Sequence, residues 1–213
     1  MASLADLREE YVRHQLNIAD AATDPMVQFN HWLQEAMNAE VPEPNAFTLS
    51  TVDQSGQPFS RVVLLKGLEN GKFVFYTNFQ SRKGLQLAEN PKVALSFLWL
   101  ELERQVTVLG TAKKQSAASS DAYFAVRPRG SQLGAWTSPQ SEEIPNRAFL
   151  EERERTYQKK FEGQEVPRPD HWGGYDITPH SVEFWQGRRS RLHDRLLYTQ
   201  TNEGKWDRRR LAP

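Results

Sequence analysis

The chain has no cysteine. Disulfides, thiolate nucleophiles and Cys-ligated zinc or iron–sulfur centres are therefore excluded, and a cytoplasmic protein is expected. No apolar run approaches the roughly 20 residues that a membrane-spanning helix requires. Asp6, Glu9 and Glu10 interrupt the start of the chain, where a secretory signal would need an apolar centre. An excess of charge of one sign is also missing, because 27 Lys and Arg balance 27 Asp and Glu. General affinity for nucleic acid or for an anionic membrane is not expected of such a chain. The signature loops GxGxxG, GxxxxGK[ST] and GxSxG are absent, as is HExxH. The five histidines (His14, His31, His171, His180 and His193) show no metal-ligand spacing. P-loop, hydrolase and zinc-enzyme readings lose ground, and no metal site is expected.

The charge that is present is unevenly placed. Residues 1–60 hold two basic and nine acidic side chains, whereas residues 186–213 hold eight basic and three acidic ones. A basic end on a neutral chain suits a specific small anion, and it also suits a solvated tail. The six Trp and eleven Phe could fill a core or stack on a flat ligand.

A short polar helix is expected from Ser3 to about His14. Asp24 can cap a second helix that starts at Pro25, with Met26, Phe29, Trp32, Leu33 and Met37 at helical spacing. Strand-like runs follow at Ala46–Val52, Pro58–Lys66 and Lys72–Thr77, the last two joined by an Asn70-Gly71 hairpin turn. Further strands are expected at Lys92–Trp99, Arg104–Lys113, Gly173–Ile177, Ser181–Gln186, Asp194–Thr199 and Trp206–Leu211. Helices are expected at Ser81–Glu89, Ser116–Val126 and Asn146–Phe161, with Pro128 stopping the second and leaving Arg129, Gly130 and Ser131 in a loop. Hairpin-linked strands without regular strand–helix alternation indicate an α+β chain, mainly antiparallel, with a sheet or barrel flanked by helices. One domain over residues 1–213 is expected, residues 1–20 forming a segment able to move.

Four clusters could carry chemistry. In Arg61-Val62-Val63-Leu64-Leu65-Lys66, an apolar strand is bracketed by two cations five positions apart. A regular strand would point them to opposite faces, so both reach one ligand only if one sits at a strand end or bulge. The plain alternative is a core strand with charged ends. In Tyr76-Thr77 and Ser81-Arg82-Lys83, a strand leads into a helix start whose free N–H groups and two added cations suit phosphate. An ordinary solvated turn would look the same. Tyr123 and Arg127 share a helix face and with Ser131 could cradle a phosphate, although a helix-end Arg can simply satisfy carbonyls. In Arg191-Leu192-His193-Asp194-Arg195, an extended backbone would line Arg191, His193 and Arg195 on one face. That placement asks either for an anionic ligand or for partnering by Asp194 and Glu183.

Together these segments resemble the pyridoxine/pyridoxamine 5'-phosphate oxidase family. The likeness continues through Glu103-Arg104-Gln105-Val106, Gly134-Ala135-Trp136, Gln140-Ser141, Trp172-Gly173-Gly174, Glu183-Phe184-Trp185-Gln186-Gly187 and Arg210-Leu211-Ala212-Pro213. It covers nearly the whole chain in order. The resemblance implies a split β-barrel homodimer that binds FMN between subunits. It implies conversion of pyridoxine 5'-phosphate and pyridoxamine 5'-phosphate to pyridoxal 5'-phosphate, with O2 as acceptor and H2O2 as product. Around FMN it places the 61–66 strand, Tyr76, Thr77, Arg82, Lys83, Gln105, Gln140, Ser141, Trp185 and Arg195. At the substrate phosphate it places Lys66, Tyr123, Arg127 and Ser131. Arg191 and His193 fall over the substrate ring as the catalytic pair, with Arg8 and Tyr11 on a covering amino-terminal segment. Glu9 and Glu10 make that segment acidic where some members are more basic, and Arg188-Arg189-Ser190 has no assigned role. The rivals are another flavin split-barrel reductase and a flavin-binding module without turnover.

Overall fold

The computed structural model describes Tyr11 and residues 14–213; Arg8 and most of the helix expected at Ser3–His14 lie outside them, and Tyr11 and His14, which are described, are not helical. Helix α1 (Pro25–Asn38) starts as anticipated, with the Asp24 carboxylate accepting from the Met26 N–H at 2.7 Å. The cap contributes about 1 kcal/mol. Burial of Phe29 and Trp32, roughly 1.5–3 kcal/mol each, outweighs it and fixes where the helix docks. Phe29 meets Phe73 and Phe97 edge-on, and Trp32 meets Phe184 at 90°. Met37 is exposed, and Ala36 takes the buried position instead.

The strands are β1 (Ala46–Val52), β2 (Pro58–Leu64), β3 (Gly67–Glu69), β4 (Lys72–Asn78), β5 (Lys92–Trp99), β6 (Arg104–Lys114), β7 (Trp172–Gln186), β8 (Asp194–Gln200) and β9 (Trp206–Leu211). They form one nine-stranded sheet ordered β2-β1-β5-β6-β7-β4-β3, with β8 pairing β7 and β9 pairing β8. Every pairing is antiparallel. Helices α2 (Arg82–Glu89), α3 (Ala117–Ala125), α4 (Arg129–Thr137) and α5 (Arg147–Lys160) complete the chain. The result is a curled, split-barrel sheet with peripheral helices.

The Asn70-Gly71 turn joins β4 not to β2, which pairs β1, but to the short strand β3, because β2 ends at Leu64 and the chain turns at Leu65 and Lys66 before the hairpin. Two further elements differ from the sequence expectation. The segments Gly173–Ile177 and Ser181–Gln186 are one fifteen-residue strand, β7. Its register with β6 shifts between Leu109 and Gly110, opposite Ser181 and Pro179. Proline lacks a donor, and a bulge is a place in a sheet where none is required. The amino-terminal half of β7 pairs β4 and its carboxyl-terminal half pairs β8, so along the edge away from β6 this strand carries two branches, β4–β3 and β8–β9. The second difference concerns Pro128. It ends α3 and also serves as the N-cap residue of α4, so Arg129, Gly130 and Ser131 form the first turn of a helix rather than a loop. Proline's fixed φ suits an entry to a helix as well as an exit.

The main core lies between α1 and the sheet. A second apolar cluster, Phe124, Leu133, Phe161, Val166 and Trp172, binds α3, α4 and α5 to the start of β7.

Candidate active site

A cleft of about 1130 Å³ opens where β2, the end of β4 and the start of α2 face α3 and α4. Its lining includes Arg61, Val62, Val63, Leu64, Lys66, Tyr76, Thr77, Arg82, Lys83, Tyr123, Arg127, Ser131, Gln140 and Ser141. Most of the residues singled out in the first three sequence clusters are therefore brought together. Five of the lining residues are cations and none is Asp or Glu. Among the described residues, none of those five cations forms a salt bridge.

The strand geometry explains how Arg61 and Lys66 share the cleft. β2 ends at Leu64, and the Lys66 N–H turns to the Val74 carbonyl, so Lys66 is freed from the alternation that governs Arg61. Leu65 does not join them. Its side chain is core, its N–H donates to the Asn45 carbonyl, and its own carbonyl accepts from Asn45 Nδ2. The Arg61 guanidinium is anchored from below, donating to the Leu49 carbonyl at 3.1 Å and to Thr51 Oγ1 at 2.6 Å. Buried Gln86 accepts from Thr51 Oγ1 and braces the pair.

Helix α2 begins against the end of β4. Ser81 caps it, accepting from Gly84 N–H and donating to the Asn78 carbonyl. The backbone N–H groups of the first turn have no helical acceptor and carry the positive end of the dipole. Gly84 permits the approach, because a Cβ there would lie 2.2 Å from the Phe79 carbonyl oxygen. Lys83 Nζ donates to Ser81 Oγ and, at 3.1 Å, to Gln140 Oε1, which draws the loop after α4 over the helix start. Burial, with Arg61 second, holds the Lys83 ammonium down to about 8. Burial likewise lowers Arg61, with Arg82 as the second cause.

The opposite wall carries Tyr123 and Arg127 on and just beyond α3. The Tyr76 and Tyr123 rings stack at 3.8 Å and 12°. Burial pushes Tyr76 up to about 12 and raises Tyr123 as well, so both phenols keep their protons and can donate. Among the described residues, the buried Arg127 Nη1 has no hydrogen-bond partner. An orphaned guanidinium nitrogen in a cleft without acids fits an incoming anion.

The remaining expected residues do not line this cleft. Gln105, Trp185 and Arg195 form a row across β6, β7 and β8, each opposite the next in register. His193 lies 4.6 Å from Trp185 ring to ring, and Tyr11 meets both rings edge-on. Gly187 accommodates Tyr11, whose Cβ would lie 2.8 Å from an added glycine Cβ. The Arg191–Arg195 segment is not extended. Ser190 and Arg191 adopt φ of 55° and 61°, and β8 starts only at Asp194, so the expected shared face of Arg191, His193 and Arg195 does not form. Arg195 is also committed within the chain. Its Nε and Nη2 donate to the two Glu183 oxygens at 2.7 and 3.1 Å, and Nη1 donates to the Ala212 carbonyl. The hydrogen bonds to Glu183, with its charge, raise the Arg195 pKa.

Sequence reasoning did not place Trp172, Asn78, Val126 and Ser138 on the cleft wall. Trp172 has a signal as part of the Trp172-Gly173-Gly174 segment, and Asn78 as part of the 76–83 stretch between strand and helix start. Among the described residues no cluster of His, Asp or Glu is arranged to hold a metal, and no helix is long and apolar enough to cross a membrane.

Comparison with known proteins decides the family. Residues 33–159 match the family model described as pyridoxamine 5'-phosphate oxidase, and residues 172–213 match the pyridoxine 5'-phosphate oxidase C-terminal dimerisation region. The chain belongs to the pyridoxine/pyridoxamine 5'-phosphate oxidase family. It is 55% identical over 213 residues, the full length of both chains, to the pyridoxine/pyridoxamine 5'-phosphate oxidase of Cupriavidus necator. It is 55% identical over 215 residues to that of Burkholderia mallei, again covering both chains in full. Among solved structures, PhzG from Burkholderia lata 383, in complex with tetrahydrophenazine-1-carboxylic acid, superposes with a TM-score of 0.88 at 28% identity. That match covers 94% of this chain and 99% of PhzG. An FMN-binding, pyridoxamine 5'-phosphate oxidase-related protein from Nostoc punctiforme shares the fold, with a TM-score of 0.72 at 17% identity and coverage of 94% and 100%. Within this oxidase family, the row that holds Trp185 and Arg195, with His193 beside it, falls inside the dimerisation region, whereas the cationic cleft is built largely from the 33–159 region.

Proposed function

We propose that the protein binds FMN and oxidises pyridoxine 5'-phosphate and pyridoxamine 5'-phosphate to pyridoxal 5'-phosphate. O2 is the final acceptor, H2O2 is released, and the amine also yields ammonia. The observation that carries this reading is the cleft: among the described residues it holds five cations without a salt bridge, no carboxylate, and an orphaned buried guanidinium nitrogen, in a chain of zero net charge. Two phosphate monoesters, one from cofactor and one from substrate, answer that arrangement.

The residues divide between the two. Arg61, Arg82, Lys83, Gln140, Ser141 and the α2 start would hold the FMN phosphate, with Val62, Val63, Leu64, Tyr76 and Thr77 beside them. Lys66, Tyr123, Arg127 and Ser131 would hold the substrate phosphate. When bound, FMN supplies a two-electron acceptor that can be reoxidised by O2. Positioning is the protein's larger task, which is why the cleft is rich in Arg, Lys and Tyr and contains no activated nucleophile. The Gln105–Trp185–Arg195 row with Arg191 and His193 lies apart from the cleft lining. We propose that a second copy of the chain supplies this row, so that a homodimer completes the site. In that site Arg191 and His193 orient the substrate, and Tyr11 covers it.

The deciding experiment is oxygen consumption by the purified, FMN-loaded protein with phosphorylated and unphosphorylated B6 vitamers. Turnover confined to the phosphorylated forms is expected. A yellow protein without turnover would identify a binding module, and failure to take up FMN would overturn the reading.

A further inference from the structure

A guanidinium with a buried nitrogen ordinarily needs a carboxylate beside it, and Arg127 is half-buried with its Nη1 fully so. A carboxylate beside Arg127 would compete with any phosphate for the same N–H groups. Arg127 has none among the described residues. Its guanidinium lies instead 4.4 Å from the Trp172 ring centroid and 5.5 Å from that of Phe124. An aromatic face attracts a cation through its quadrupole while leaving the in-plane N–H groups unused.

The structure fixes Trp172 with care. It is the first residue of β7, opposite Asn78. Its N–H donates to the Pro169 carbonyl, and its own carbonyl accepts from Arg168 Nη1 at 2.7 Å. Arg168 Nε in turn pairs with Asp121 on α3 at 2.6 Å, the helix that carries Tyr123. The Trp172 ring runs nearly parallel to Tyr76 and Tyr123, at 11° and 5°, and Phe124 abuts it at 70°. One indole therefore registers both the Tyr123 phenol and the Arg127 guanidinium.

We propose that Trp172 is the positioning residue for phosphate recognition in this cleft, holding Arg127 by its π face so that the guanidinium donors stay free for a phosphate monoester. The inference rests on reading the cleft as the B6-phosphate site.

The test uses the FMN-loaded enzyme. Trp172→Leu should raise KM for pyridoxamine 5'-phosphate about tenfold, with kcat changed less than about twofold, and should weaken inhibition by inorganic phosphate in parallel. Trp172→Phe should recover most of the loss. Fluorinated tryptophans placed at position 172 keep the shape but weaken the ring quadrupole, so KM should climb with each added fluorine. This series carries the test even where Trp172→Leu folds poorly. A flat series, or a Trp172→Phe enzyme no better than Trp172→Leu, would overturn the inference. Arg127→Ala separates the two levels of argument. If it raises KM while Trp172→Leu does not, the inference alone falls. If Arg127→Ala leaves KM unchanged, the phosphate-cradle reading fails and takes the inference with it.

Discussion

The backbone N–H of Arg188 donates to Nδ1 of His193 at 3.1 Å. That bond assigns the tautomer: neutral His193 carries its proton on Nε2 and offers it as a donor. Burial and the neighbouring Arg191 charge both lower the His193 pKa from its ordinary 6.5. Because the folded value lies below the unfolded one, the group's contribution to stability is intact above about 6.5. It declines as pH falls through the folded value. An NMR titration of the His193 ring should show an inflection below 6.5, and Arg191→Ala should move it upward. An unchanged inflection in that variant would mean burial acts alone.

Lys83 gives a second pH dependence of the same sense, in a higher window. Its folded value, about 8, lies below the ordinary 10.5. Between those values the unfolded chain holds more protons, so raising pH through that range relieves a penalty in the ligand-free protein. A bound phosphate reverses the balance by favouring the ammonium. FMN binding near pH 8.5 should therefore take up a proton, read by calorimetry in buffers of differing ionisation enthalpy. FMN affinity should fall as pH rises above 8. Lys83→Arg should remove both effects, and Lys83→Met should weaken FMN about tenfold or more at pH 7.

Gly84→Ala tests the docking of α2. The added methyl has no room against the Phe79 backbone, and backbone yields less readily than a side chain. A loss of about 1–3 kcal/mol is expected, with a fall in Tm of several degrees. FMN affinity should fall with it, because the helix start moves. Gly130→Ala, in the first turn of α4 with open space at its Cβ, is the matched control: it should leave FMN affinity unchanged and stability unchanged or slightly raised.

Arg82 and Arg191 should separate cofactor from chemistry. Arg82→Ala is expected to weaken FMN retention, measured by fluorescence on dilution. Arg191→Ala is expected to lower turnover far more than FMN retention. The reverse pattern would mean the two groups have been assigned to the wrong ligands.

The first half of the site was readable because its signals are local. Asp24, Ser81, Ser116 and Asn146 each cap the helix they precede, and β1, β5 and β9 run between their expected ends. What escaped depends on partners distant in sequence or on residues with two uses. Pro128 was read as a stop and is also a start. A bulge in β7 at 179–181, opposite Leu109 and Gly110, makes a single strand where the sequence indicates two. The pairing of Arg195 with Glu183 is the one the sequence offers as the alternative to an anionic ligand, whereas the left-handed turn at Ser190 and Arg191 falls on residues with no glycine to announce it. Trp172 matters through rings on β4 and α3, which sequence spacing does not reveal.

The row of Gln105, Trp185 and Arg195 has a consequence for assembly. Each member reaches the common face only if β6, β7 and β8 are paired in their native register, since a slip of one residue turns a side chain to the other side of the sheet. A ligand that needs all three is held only by correctly aligned chains. Ligand capture then acts as proofreading of strand alignment, and misaligned chains remain empty and unsupported by binding energy.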